Sequence, residues 1–267
     1  MASQKETMDL VVSADETSIA YEKSGSGPPL VLVHGTGGDR TSFRLVEPLL
    51  AERYTVCAVD RRGRRRSGDS SAPYEIEQEF ADIAAVVDSF TLPADLFGHS
   101  YGATVALGAA LLARNLRRLI LYEPTPGIAA ADPELLSKLG ALLAQNRREE
   151  LLRAFMVEFA GFGSQEVEQF QASALWAPRV VAAHTIPREL RAEENFEPAT
   201  NGLARVTAPV VLLLGSESPQ WARRGTDTVQ SLLPQARVVM LEGQGHVATM
   251  TAPELLAREI VRVLNED

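Results

Sequence analysis

The chain has 267 residues, with 26 lysines and arginines against 35 aspartates and glutamates, and a single cysteine. At roughly 100–200 residues per domain, this length fills one large domain or two small ones. Apolar residues at 45% and charged residues at 23% exclude a disordered or collagen-like chain. The lone Cys57 excludes an internal disulfide scaffold, and a net charge of −9 argues against nucleic acid as a partner, because such a footprint is basic. The first ten residues are polar and mixed in charge, without the apolar core of a signal peptide. No run of about 18 apolar residues exists to span a membrane. A cytoplasmic protein, monomer or homodimer, with no membrane partner is expected.

Residues 8–12 and 18–22 predict two strands, with Asp15-Glu16 near the turn between them. The loop Ser24-Gly25-Ser26-Gly27-Pro28-Pro29 ends this hairpin. Continuous apolar runs follow at 30–33, 56–59, 96–97, 119–121, 210–214 and 238–241. Unbroken runs, as opposed to alternating ones, suit strands covered on both faces. Between them, residues 76–90 place Ile76, Phe80, Ile83 and Val87 at helical spacing, and 104–113 is small and apolar all round, as a buried helix is. Residues 252–264 carry Leu255, Leu256, Ile260, Val263 and Leu264 on one face, with Pro253 in the first turn. Strands alternating with helices predict a mostly parallel sheet with helices on both faces.

Between Tyr122 and Val210 this alternation stops. Leu135, Leu136, Leu139, Leu142 and Leu143 predict one amphipathic helix; Leu151, Leu152, Phe155, Met156 and Phe159 predict a second. Gly161-Phe162-Gly163 separates that from a third, around 166–175. A structureless loop of this length is improbable inside a domain. The expectation is a core of residues 1–123 and 206–267 with a helical cap, 124–205, inserted into it.

Three motifs carry chemistry. Gly98-His99-Ser100-Tyr101-Gly102 follows a strand and opens a helix, the context that gives a G-x-S-x-G motif meaning. Ser100 then sits on a sharp turn with its hydroxyl presented outward, at a helix N-terminus that favours developing negative charge. His34-Gly35-Thr36-Gly37-Gly38 follows an inner strand, and its bare backbone can offer an N–H to an oxyanion. The pair expected is the N–H of Thr36 and that of Tyr101, just after the nucleophile. Neither a P-loop nor a G-x-G-x-x-G is present, which disfavours a phosphate loop. Gly243-Gln244-Gly245-His246 follows the last strand; a serine hydroxyl needs a base, and of the four histidines only His246 precedes the final helix.

Together these motifs resemble the α/β-hydrolase superfamily over nearly the whole chain. The resemblance implies an eight-stranded, mostly parallel sheet. Asp60-Arg61-Arg62-Gly63-Arg64-Arg65-Arg66-Ser67-Gly68 resembles the family's D-x-R-G-x-G-x-S loop, with Arg65 where a glycine is usual. Its five arginines are read as a solvated, locally paired loop. The family usually places an aspartate after the seventh strand to orient the histidine, but the matching position holds Ser218. Two carboxylates are the candidates. Glu123, after the sixth strand, resembles the acid placement of some haloalkane dehalogenases and of the zearalenone lactonases; Glu217, one residue before Ser218, is the alternative.

A serine at the elbow disfavours dehalogenase and epoxide-hydrolase chemistry, which use an aspartate there. The reading is an ester or lactone hydrolase working through an acyl-enzyme on a small-to-medium apolar substrate. The alternatives are a C–C bond hydrolase or lyase and a non-catalytic ligand-binding relative. Gly35, Phe155, Phe159, Trp176 and Trp221 are the expected pocket residues. No metal and no cofactor is expected.

Overall fold

The computed structural model describes residues 7–70, 72–126, 132–194, 196–197 and 202–266. Residues 1–6, on which the reading of the N-terminus partly rests, lie outside them. Eight strands form one sheet: β1 (Thr7–Val12), β2 (Ser18–Ser24), β3 (Pro29–Val33), β4 (Thr55–Asp60), β5 (Ala94–His99), β6 (Leu116–Tyr122), β7 (Val210–Gly215) and β8 (Arg237–Leu241). Their order is β1-β2-β4-β3-β5-β6-β7-β8. β1 pairs with β2, and β2 with β4, antiparallel; every other pairing is parallel. The α/β-hydrolase fold read from the motifs is the observed one.

The unbroken apolar runs have their predicted cause. β3 and β7 are buried at every position, because each face of the sheet carries helices. One face packs Val31, Val33, Leu96 and Leu119 against the helices Ile76–Asp88 and Tyr101–Ala109. The other packs Leu30, Leu32, Phe97 and Ile120 against Leu256, Ile260 and Val263 of Pro253–Leu264. The strands outrun the apolar runs because polar ends such as Asp95 and Arg118 still pair in the ladder. The helix Gln220–Leu232 is not among the elements expected from the sequence; it buries one face through Ala222, Gly225, Thr226 and Val229, mostly small residues.

Between β6 and β7 the described residues hold no strand. Helices Pro133–Ala144, Arg148–Ala154, Ser164–Gln171, Trp176–Ala182 and Ile186–Glu194 share an apolar core of their own, with Leu139, Leu151, Val167 and Ile186 inaccessible. The third helix stops at Gln171 and a separate one starts at Trp176, where one helix around 166–175 was expected. Arg148–Ala154 runs on into a π-helical turn, Phe155–Phe159. Among the described residues, no helix is long and apolar enough to cross a membrane.

The arginine loop corrects the sequence reading. It is paired, but only partly solvated: Arg65 and Arg66 are exposed, whereas Arg61, Arg62 and Arg64 are at most 1% exposed. Arg61 makes a fork to Glu79 at 2.6 and 2.8 Å, and Arg62 a fork to Asp82 at 2.7 Å on both oxygens. Arg64 bonds Glu189 of the helix Ile186–Glu194. Burial opposes ionisation of Glu79, but Arg61, together with Arg64 and the Tyr74 hydroxyl, outweighs it and holds that carboxyl at about 2. The planar fork of arginine suits such buried pairs better than lysine does. Arg65, standing where the resembled motif has glycine, keeps a left-handed φ of 46°.

Candidate active site

The elbow forms because its glycines leave no room for side chains. A Cβ on Gly98 would lie 2.5 Å from the Cα of Ala103, and one on Gly102 would lie 2.3 Å from the carbonyl oxygen of His34. β5 and the helix Tyr101–Ala109 can therefore turn sharply into each other under β3. Ser100, at the turn, takes φ 58° and ψ −129°, a conformation costing about 1–3 kcal/mol outside glycine. Its N–H donates to the carbonyl of Tyr122 at 2.9 Å, which ties the elbow to the end of β6.

The glycine-rich loop after β3 lies directly against this serine. A Cβ on Gly35 would come within 2.9 Å of the Ser100 Cβ. Tyr101 opens its helix, so its N–H has no intrahelical acceptor. The backbone N–H of Thr36 likewise meets no protein acceptor among the described residues. His34 is a packing residue: its Nδ1 donates to the Gly35 carbonyl at 2.9 Å, and burial, with Arg64 and Arg61 beside it, keeps the ring neutral.

Glu123 lies just past β6, fully buried, with φ 49°. β6 runs between β5 and β7, so its end stands between the elbow and the end of β7. The Glu123 Oε1 accepts the N–H of Gly215 at 2.8 Å and the hydroxyl of Ser218. Its Oε2 receives the Nδ1 of His246 at 2.6 Å. Glu217 instead is exposed and bonded through its own N–H to the Gln244 carbonyl at 2.9 Å. Ser218, in the position where the family resemblance led one to look for an acid, is thus a hydrogen-bond donor to Glu123.

Two aromatic residues that sequence reasoning passed over hold the His246 loop. His99 donates from Nε2 to the His246 carbonyl at 2.8 Å and stacks on Tyr122, centroids 4.9 Å apart. Burial, and after it the neighbouring His246, pushes the His99 pKa well down, which suits a neutral donor. The Tyr122 hydroxyl donates to the Gly245 carbonyl and accepts the Ala248 N–H at 3.2 Å. Trp221 packs edge-on against the His246 ring at 4.5 Å. The only local signal for His99 and Tyr122 was their adjacency to Ser100 and Glu123.

Ser100, His246, Thr36 and Tyr101 open on a cavity of about 450 Å³. Of the residues named for a pocket, Gly35, Phe155, Phe159 and Trp221 line this cavity. The π-helical turn stacks Phe155 on Phe159, centroids 5.6 Å apart. Trp176 is placed otherwise: it is 8% exposed in the helical layer, its Nε1 donates to Glu149 at 3.1 Å, and Phe170 packs between it and the cavity. Phe196 packs against Phe80 in the main core. Polar residues of the helical layer that were not anticipated also reach the cavity: Glu166, Gln169, Ser173, Arg179 and Glu193.

The sequence profile of the alpha/beta hydrolase family matches residues 30–259. The 2-(acetamidomethylene)succinate hydrolase of Mesorhizobium japonicum is 25% identical, over 95% of this chain and 94% of its own. The pimeloyl-[acyl-carrier protein] methyl ester esterase of Xanthomonas oryzae pv. oryzae is 27% identical, over 83% of this chain and 89% of its own. The crystal structure of an alpha/beta hydrolase from Sphaerobacter thermophilus is 35% identical and superposes with a TM-score of 0.84, covering 96% of this chain and 100% of that one. With the strand order, the elbow and the profile in agreement, this chain belongs to the alpha/beta hydrolase family.

Proposed function

We propose that the chain is a serine hydrolase that cleaves an ester or lactone through an acyl-enzyme. One observation carries this reading: the Nδ1 of His246 meets a fully buried Glu123 at 2.6 Å, in a cavity shared with a strained, outward Ser100. The Oγ of Ser100 attacks the substrate carbonyl while the Nε2 of His246 takes its proton. Glu123 fixes the tautomer and stabilises the imidazolium. The N–H groups of Thr36 and Tyr101 bind the oxyanion, whose charge is larger in the transition state than in the ester. His246 returns the proton to the leaving alkoxide, and water then enters by the same route in reverse. The helical segment 124–205 acts as the cap, excluding bulk water through Phe155 and Phe159, while Trp221 closes the cavity from the helix Gln220–Leu232. That one relative is named for a methyl ester supports an ester as the bond class.

The test is labelling with a fluorophosphonate, followed by peptide mapping, beside turnover of p-nitrophenyl acetate. Ser100 is expected to carry the label, and Ser100→Ala is expected to lose both label and turnover. Labelling elsewhere, or undiminished turnover in Ser100→Ala, would refute the assignment.

A further inference from the structure

The cavity contains a guanidinium that forms no ion pair among the described residues. Arg179, on the helix Trp176–Ala182, lines the space shared by Ser100 and His246. Its Nε is buried and has no hydrogen-bond partner. Other buried arginines differ in kind: Arg61, Arg62 and Arg64 each have a carboxylate within 3.0 Å. No carboxylate lies within ion-pairing distance of Arg179 among the described residues. Of the nearby acids, Asp39 bonds Arg65 and Thr41, and Glu166 accepts the Gly163 N–H at 2.7 Å. The face of Phe170 lies 5.3 Å from the guanidinium carbon and offers a cation–π contact, which orients the fork without cancelling its charge. Burial disfavours the charged form of Arg179, with Asp39 offsetting part of that cost. An uncompensated buried charge is expensive in an empty protein and becomes favourable when a ligand supplies the counter-charge.

We propose that Arg179 reads a carboxylate on the substrate, set apart from the bond that is cleaved. This rests on, and narrows, the acyl-hydrolase reading: the substrate is a half-ester or carboxylated lactone and not a wholly apolar compound. A guanidinium fork matches a carboxylate with two parallel hydrogen bonds. The apolar walls of the same cavity, Phe155, Phe159 and Phe170 among them, then accommodate a short methylene chain. The carboxylate would fix which carbonyl faces the oxyanion donors, which is an orientation effect on kcat/KM.

The experiment compares monomethyl esters of succinic, glutaric and adipic acid with the same esters bearing an uncharged amide in place of the free carboxylate, following methanol release. The wild type is expected to prefer the charged member. Arg179→Ala is expected to reduce that preference, the ratio of the two kcat/KM values, by about 10- to 100-fold, and Arg179→Lys to keep part of it. A ratio that is the same in wild type and Arg179→Ala overturns the proposal, as does a wild type that favours the amides. In parallel, glutarate binding is measured calorimetrically with Ser100→Ala and with the Ser100→Ala, Arg179→Ala double variant. Loss of binding in the double variant supports the subsite even if no ester is turned over, in which case the hydrolase reading alone has failed. Glutarate binding to neither protein, or equally to both, overturns the subsite.

Discussion

A serine where the family resemblance points to an acid, and a glutamate one strand away, are two halves of a single exchange. The hydroxyl of Ser218 and the N–H of Gly215 both bond Glu123 Oε1, leaving Oε2 to His246. The extra methylene of glutamate gives it reach from the end of β6. Glu123→Gln is expected to lower kcat by ~10³–10⁴-fold, as loss of the orienting carboxylate does in a serine–histidine pair. Glu217→Gln is expected to change it less than about twofold, since that side chain faces solvent. Ser218→Ala should cost about 10-fold in kcat, the effect of one hydrogen bond to a charged group. Steady-state kinetics of the three variants decides the matter; an inactive Glu217→Gln beside an active Glu123→Gln would reverse the assignment. Glu123 was legible as a candidate because Tyr122-Glu123-Pro124 ends an apolar run. The role of His99 was not, because nothing local says that its ring reaches a loop 147 residues later.

The helix Ile186–Glu194 is the element that fastens the helical layer to the sheet. Its Glu189 enters the arginine loop, bonding Arg64 and standing 3.4 Å from Arg61, with all three side chains inaccessible. Its Arg188 pairs with Asp69 at 2.6 Å and covers the ring of Tyr74 at 4.5 Å. Removing one member of such a set strands a buried charge. Glu189→Ala is expected to destabilise by about 3–5 kcal/mol, and Glu189→Leu with Arg64→Met to recover most of that. Urea denaturation of the three proteins checks both statements. The sequence marked this loop by its five arginines, and charge runs are usually solvated. The burial of three of them, Arg61, Arg62 and Arg64, depends on Glu79, Asp82 and Glu189 arriving from distant helices, which no local pattern encodes.

At the scale of the whole molecule, Glu193 is one group that couples stability to pH, a carboxyl buried in the cavity wall. Burial pushes its pKa up to about 8, against a hydrogen bond from Thr125 and the charge of Arg61. The folded protein therefore holds a proton that the unfolded chain, titrating near 4.5, has already lost. The contribution is fully present below that lower value and is lost as pH rises toward about 8. The slope is at most about 1.4 kcal/mol per pH unit for one proton. Below about pH 7 the buried His34 and His99, held neutral in the fold, act in the opposite sense, so the fall in melting temperature is expected between about pH 7 and 8, and Glu193→Gln should flatten it. Equal pH slopes in the two proteins would remove Glu193 as the cause. As for what was readable from residues alone, unbroken apolar runs located the sheet, since a strand covered on both faces must be apolar throughout. Glycine spacing located the elbow and the glycine-rich loop that lies against it, since only glycine permits those backbone approaches. Side-chain partnerships across the fold were decided by packing: the Ser218–Glu123–His246 chain, the His99 and Tyr122 clamp, the buried arginines, and Arg179 without a counter-charge. Each depends on distances between residues far apart in sequence, and those distances exist only once the strands are ordered side by side.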